Sequence, residues 1–146
     1  MGCCEAWKGK RGWKKLHLGV DRAGIIVAQM LTDGNADDAK TALSLIDATA
    51  GDLSSFTGDA AYDTVAIYEA AGARGRDVIV PPSKAATVSR SRPRSTARDR
   101  TIRRVKKLGR REWKKASGYH RQGTVENAFF RYIAPGEAWR KGMMRI

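Results

Sequence analysis

Cysteine is almost missing from this chain: two residues in 146, adjacent at Cys3 and Cys4. Neighbouring cysteines rarely close a disulfide of normal geometry, and no C-x-x-C spacing is present to hold a metal, so the pair reads as reduced thiols. Long apolar runs are absent too. No stretch approaches the ~18 apolar residues of a membrane span, and Met1–Lys10 lacks the apolar run of a signal peptide. These absences point to a cytoplasmic protein. No internal repeat occurs, and no nucleophile-elbow motif accompanies the two histidines, which excludes a Ser-His-Asp hydrolase reading.

Negative charge is also in short supply. Lys and Arg number 28 against 15 Asp and Glu, for a net charge of +13 and a pI near 10.3. Such a chain repels itself unless a polyanion neutralises it, and nucleic acid is the commonest such partner. Hydrophobic residues make up 42% of the chain, which places it among globular proteins of one domain. The positive excess is a patch. Residues 21–83 carry four basic and ten acidic side chains, whereas residues 84–121 carry fifteen basic and two acidic. Carboxylates in one place and cations in another is the division that a metal-dependent nucleic-acid enzyme needs. The Ser89–Ser95 stretch, rich in Ser, Arg and Pro, reads instead as a solvated, disordered linker covering residues 84–97.

Periodicity suggests an α/β or α+β domain with helices covering a sheet. Trp13–Asp21 alternates, with Leu16, Leu18 and Val20 on one face and Lys15, His17 and Gly19 on the other. A turn at Asp21–Gly24 and an apolar run at Ile25–Leu31 complete a hairpin. His17 is expected to face solvent or a neighbour. Asp37–Ala48 reads as a helix with Asp37 and Asp38 in its first turn and Ala39, Ala42, Leu43 and Ile46 inward. Leu53–Phe56 is a weak strand, Thr64–Ala71 a helix stopped by Gly72, and Val78–Val80 a strand closed by two prolines. Arg98–Leu108 reads as a very basic helix. Thr124–Tyr132 is another, with Val125, Ala128, Phe129 and Tyr132 on its apolar face.

Three stretches carry a family likeness when taken in order: Trp13–Asp21 with its second strand; Phe56-Thr-Gly-Asp-Ala-Ala-Tyr-Asp63 on to Ser83; and Trp113–Tyr119 through Val125-Glu126-Asn127 to Tyr132. Together they resemble the insertion-sequence DDE transposases whose last motif is Y-x2-R-x3-E-x6-K. The resemblance implies a ribonuclease-H-like core, a mixed sheet flanked by helices, and a D, D, E triad holding two Mg2+ or Mn2+ ions. Hard cations prefer oxygen ligands, and two of them ~3.5–4 Å apart activate the attacking and leaving oxygens of a phosphodiester. The second acid falls on Asp59 and the third on Glu126, which are therefore the implied catalytic and metal-binding residues; Tyr119 matches the motif tyrosine. Taken alone, Asp59 or Asp63 could equally cap the following helix, and Glu126 could be a solvated first-turn glutamate. The implied partner is double-stranded DNA at transposon terminal inverted repeats, inside a bacterial nucleoid; a homo-oligomer is compatible with this. The implied DNA contacts are Tyr119, His120, Arg121, Arg103, Arg104, Lys106, Lys107, Arg110, Arg111, Lys114 and Lys115.

The pattern breaks in places. No strand bearing the first aspartate precedes Trp13, and Asp21, at the hairpin turn, does not replace it. Gln122 stands where the motif has arginine, with Arg121 one place earlier, and Ile133 where it has lysine; Ala60 replaces a glycine. Residues 1–146 are therefore expected to form one partial catalytic domain, truncated at both ends and lacking its first strand, with a basic insertion or flexible stretch at about 84–121. Such a fragment is expected to keep DNA binding and to be inactive or impaired in cleavage and strand transfer. Two other functions fit: a non-catalytic DNA-binding inhibitor of an intact transposase, and a basic RNA-associated protein of ribosomal type.

Overall fold

The computed structural model describes residues 14–49, 51, 54–90, 96–132 and 140–145; at 96, 129, 132 and 140–145 only the backbone is described. Cys3, Cys4, Trp13, Leu53, residues 91–95 and Ile133 lie outside the described residues, as do the side chains expected inward at Phe129 and Tyr132.

The hairpin forms as its alternation requires. Strand β1 (Lys14–Val20) pairs antiparallel with β2 (Ile26–Asp33). The Asp21 carboxylate accepts from the backbone N–H groups of Ala23 and Ile25, both at 2.8 Å, and Gly24 turns the chain at φ +81°, where a side chain would be strained. β2 continues past the expected stop at Leu31 because Thr32 and Asp33 still have partners, Lys15 and Lys14, across the ladder.

Helix α1 (Asp38–Ala48) is capped by Asp37, whose carboxylate accepts from Lys40 N–H at 3.1 Å; Asp37 thus stands before the helix and not in its first turn. Its buried face is Ala39, Ala42, Leu45 and Ile46, with Leu43 only half-buried. Its C-terminal carbonyls are satisfied from elsewhere: the Arg74 guanidinium donates to the carbonyls of Ile46, Thr49 and Gly51. Strand β3 (Ser55–Gly58) starts two residues later than expected and leads into a 3-10 turn at Ala60–Tyr62. Helix α2 (Val65–Ala73) is capped by Thr64 and runs through Gly72; the stop is Gly75, at φ +67°. Val65, expected inward, is half-buried, and Ile67, Tyr68 and Ala71 form the inner face. Strand β4 (Asp77–Ile79) follows.

Residues 84–90 run without helix or strand, and Ser89 N–H is held by the buried Asp99 carboxylate at 3.0 Å. Two basic helices come next, α3 (Thr96–Leu108) and α4 (Arg110–Ser117), joined at Gly109 with φ +79°. A 3-10 turn at Tyr119–Gln122 leads into α5 (Gly123–Tyr132), and β5 (Arg140–Arg145) ends the described chain.

The five strands make one mixed sheet in the order β2-β1-β5-β3-β4, with β5 parallel to β1 and antiparallel to β3. The fold is mixed α/β, as expected. The sequence reading gave no strand after Tyr132, yet β5 is central and bridges β1 to β3. Leu16, Leu18 and Val20 pack under Val125 and Ala128 of α5. His17, on the other face of β1, lies towards Asp38 of α1. A second core joins α1, β3 and α2 around Phe56, Tyr62 and Ile67. Helices therefore cover both faces.

Candidate functional site

Asp59 follows directly on β3, at the C-terminal end of that strand. Phe56 and Thr57 are buried and anchor the strand, while Asp59 emerges exposed. Its carboxylate accepts from Ala61 N–H at 2.8 Å, so it does cap a helix-like turn, leaving other lone pairs open to solvent. The turn is held tightly. A Cβ at Gly58 would lie 2.6 Å from Cδ2 of Tyr62, whose buried ring meets Phe56 edge-on at 5.7 Å.

Asp63 does something else. It caps no helix; Arg98 donates to both its oxygens at 2.8 and 2.9 Å, and Ser83 N–H donates at 3.0 Å. The Asp63 side chain is 1% exposed, so this bidentate pair is a buried bond between the Asp59 turn and the first turns of α3. It holds the Arg98 guanidinium above its ordinary range, chiefly through the hydrogen bond. Arg110 adds a second tie, donating to the Pro82 carbonyl at 2.7 Å.

Glu126 is exposed in the first turn of α5. Tyr119 lies in the turn that packs against β3 and leads into α5; it is half-buried, its ring 6.4 Å from the buried Trp113 ring and under Lys114 Nζ at 4.8 Å. Burial, then the charges of Asp59 and of Glu126, push the Tyr119 phenol above the usual tyrosine range. One phenol thus feels both carboxylates, although 67 positions separate Asp59 from Glu126 in the sequence. Gly118, at φ +73°, reverses the chain between α4 and the turn that carries this tyrosine.

Cations border this place. Residues 96–121 hold eleven basic and two acidic side chains. Arg103, Arg104, Lys106 and Lys107 of α3 are exposed, as are Arg111 and Lys115 of α4, His120 and Arg121. Ile102 and Trp113 face inward and fix which side of each helix is left to solvent. Arg110 and Lys114 are half-buried, committed to the Pro82 carbonyl and the Tyr119 ring. Lys115 pairs with Glu112 at 3.1 Å, an exposed contact of little energy.

Residues 4–132 match the family described as the transposase DDE domain. The chain matches no curated protein and no solved structure.

The chain belongs to the transposase DDE domain family.

Transposases of this family generally use divalent metal ions. Asp59 and Glu126 are the two exposed carboxylates whose charge acts on the Tyr119 phenol. Among the described residues, no group of three or more His, Cys, Asp or Glu side chains could hold a metal ion. Hard cations of the Mg2+ class prefer about six oxygen ligands, and a pair of them needs shared carboxylates. Among the described residues, the donor set does not fit a two-ion centre. Among the described residues, no helix is long and apolar enough to cross a membrane.

Sequence reasoning overlooked Asp63, Arg98 and Asp99 as the residues that seat the basic helices. Asp63 showed only as a capping candidate, and nothing in the spacing links it to Arg98, 35 positions on. Gln122, at the motif arginine position, is half-buried at the end of the tyrosine turn.

Proposed function

We propose that residues 1–146 belong to an insertion-sequence transposase catalytic domain, built on a ribonuclease-H-like core, that binds double-stranded DNA and is impaired in cleavage. The observation that carries this reading is the charge of both Asp59 and Glu126 reaching the single phenol of Tyr119, which follows two helices whose exposed side chains are mostly cations.

The chain's own residues divide the work. Arg103, Lys106, Lys107, Arg111, Lys115 and Arg121 neutralise duplex phosphates, with His120 at their edge, while Arg104 turns towards β4. Arg110 and Lys114 lend charge from half-buried positions while they fix the helices and the tyrosine ring. The Tyr119 phenol, neutral at pH 7 like any ordinary tyrosine and held still further from ionising, donates a hydrogen bond to a phosphate oxygen. Asp59 and Glu126 would be the ligands of the family's divalent ions. Among the described residues they are two acids where the resemblance implies three. Gln122 and Ile133, in place of the motif arginine and lysine, remove two more cations that the motif supplies.

Gln122 and Ile133 depart from the last motif while the exposed cations of α3 and α4 remain. That favours, as the second reading, a non-catalytic protein that occupies transposon ends and blocks an intact transposase. Duplex binding measured across a salt series tests both. The log–log slope should be about −0.9 per phosphate neutralised, and Arg103→Gln with Lys107→Gln should make it shallower by nearly two such steps. Negligible binding at ~50 mM salt, where phosphate contacts are strongest, overturns both readings.

A further inference from the structure

A groove of about 620 Å³ runs between the sheet edge at β4 and the inner side of α3. Three guanidinium groups line it: Arg76 from the turn after α2, and Arg100 and Arg104 from α3. Arg100 and Arg104 are four residues apart on a helix, so they stand one turn apart on one face. Asp77 is the one carboxylate lining it, and the buried Trp113 and Tyr68 are also among its lining residues. The mouth is open, since a Cβ at Gly72 or Gly75 would meet nothing within 4 Å. Arg103 and Lys107 of the same helix do not line it.

We propose that this groove receives an unpaired nucleic-acid strand, its phosphates held by Arg76, Arg100 and Arg104. The inference rests on the nucleic-acid reading above and adds a second kind of ligand to it. Planar guanidinium forks match phosphate oxygens in pairs, and two forks one turn apart suit successive phosphates of one backbone. A duplex is too wide a rod to enter a cavity of this size, which suits a ligand of a few hundred daltons at a time. A single strand bends at every phosphate and can follow the groove. Strand addition by an acidic peptide is disfavoured, because β4 offers only three residues of sheet edge.

The test is fluorescence anisotropy of the whole chain with a short labelled oligothymidylate and, separately, a short labelled duplex, each over a salt series. Replacing Arg100→Gln and Arg104→Gln together should weaken single-strand binding roughly tenfold or more and make its slope shallower by about 0.7 for each cation removed. The same pair should weaken duplex binding much less. Arg103→Gln with Lys107→Gln removes the same charge at the same spacing and should show the reverse order. The charge-keeping pair Arg100→Lys with Arg104→Lys, which guards against a folding defect, should fall between wild type and the Gln pair. Equal losses from the groove pair and the outer pair on both ligands overturn the proposal. So does competition by oligoglutamate or pyrophosphate as strong as that by unlabelled oligothymidylate. Duplex binding with no single-strand binding overturns the groove alone; loss of both at ~50 mM salt overturns the nucleic-acid reading with it.

Discussion

His17 is fully buried on β1, its Nε2 2.8 Å from Thr32 Oγ1 and its Nδ1 3.8 Å from the Asp38 carboxylate. Burial lowers its pKa; Asp38 pulls it back up, and Lys15 lowers it further. The unfolded chain therefore takes up a proton near pH ~6.5 while the folded chain does not. This contribution is whole above that pH and is lost as pH falls from about 6.5 towards the lowered folded value. Urea midpoints should drop between neutral and mildly acidic pH, and His17→Gln should flatten that drop. At Gly58 the constraint is steric: a methyl group would press on the buried Tyr62 ring. Gly58→Ala should cost about 1–3 kcal/mol in urea unfolding, the range for overpacking a core. An unchanged midpoint would contradict the close approach. Neither residue was legible beforehand, for one reason. Alternation shows that His17 and Leu18 face opposite ways, but not that α1 covers the histidine's side as fully as α5 covers the leucine's.

The elements divide into those that announce themselves and those that do not. Helix α1 was legible because Asp37 caps it and Ala39, Ala42 and Ile46 recur at helical spacing. The hairpin was legible from period two and a turn with Gly24. Helix α2 was cut short in the reading at Gly72; the packed Ala71 and the true stop at Gly75 decide otherwise. Helix α4 was overlooked, since eight residues with one apolar anchor, Trp113, carry too little periodicity to show. Strand β5 was hidden because Arg-Lys-Gly-Met-Met-Arg has no strand pattern; its pairing with β1 and β3 is a tertiary event. What seats α3 is the Asp63–Arg98 pair. Asp63→Asn leaves the partly buried guanidinium without its counter-charge and should cost about 3–5 kcal/mol. Urea unfolding measures the loss, and faster amide exchange in α3 would locate it. A cost within ~0.5 kcal/mol, typical of surface changes, would mean that the tie does not hold the helix.

At the scale of the molecule, the separation of charge was plain in the sequence and survives in three dimensions. The acidic half supplies α1, β3 and α2, and the basic block becomes α3, α4 and the tyrosine turn. The family likeness was read from the stretches around Asp59, Tyr119 and Glu126, and the charge of both acids raises the one phenol. The choice of those residues came from the family resemblance; that the tyrosine turn packs against both β3 and α5 is a tertiary arrangement that no local pattern encodes. On the proposed reading, the chain holds DNA through the exposed cations of α3 and α4 and, with Gln122 and Ile133 in place of the motif arginine and lysine, leaves it uncut. The direct measurement is purified protein incubated with Mn2+ and end-labelled duplex carrying terminal inverted repeats, resolved on a denaturing gel. The account predicts retarded DNA on a companion native gel and no shorter strands on the denaturing one. Cleavage that appears with the wild-type chain and disappears with Asp59→Ala would contradict it.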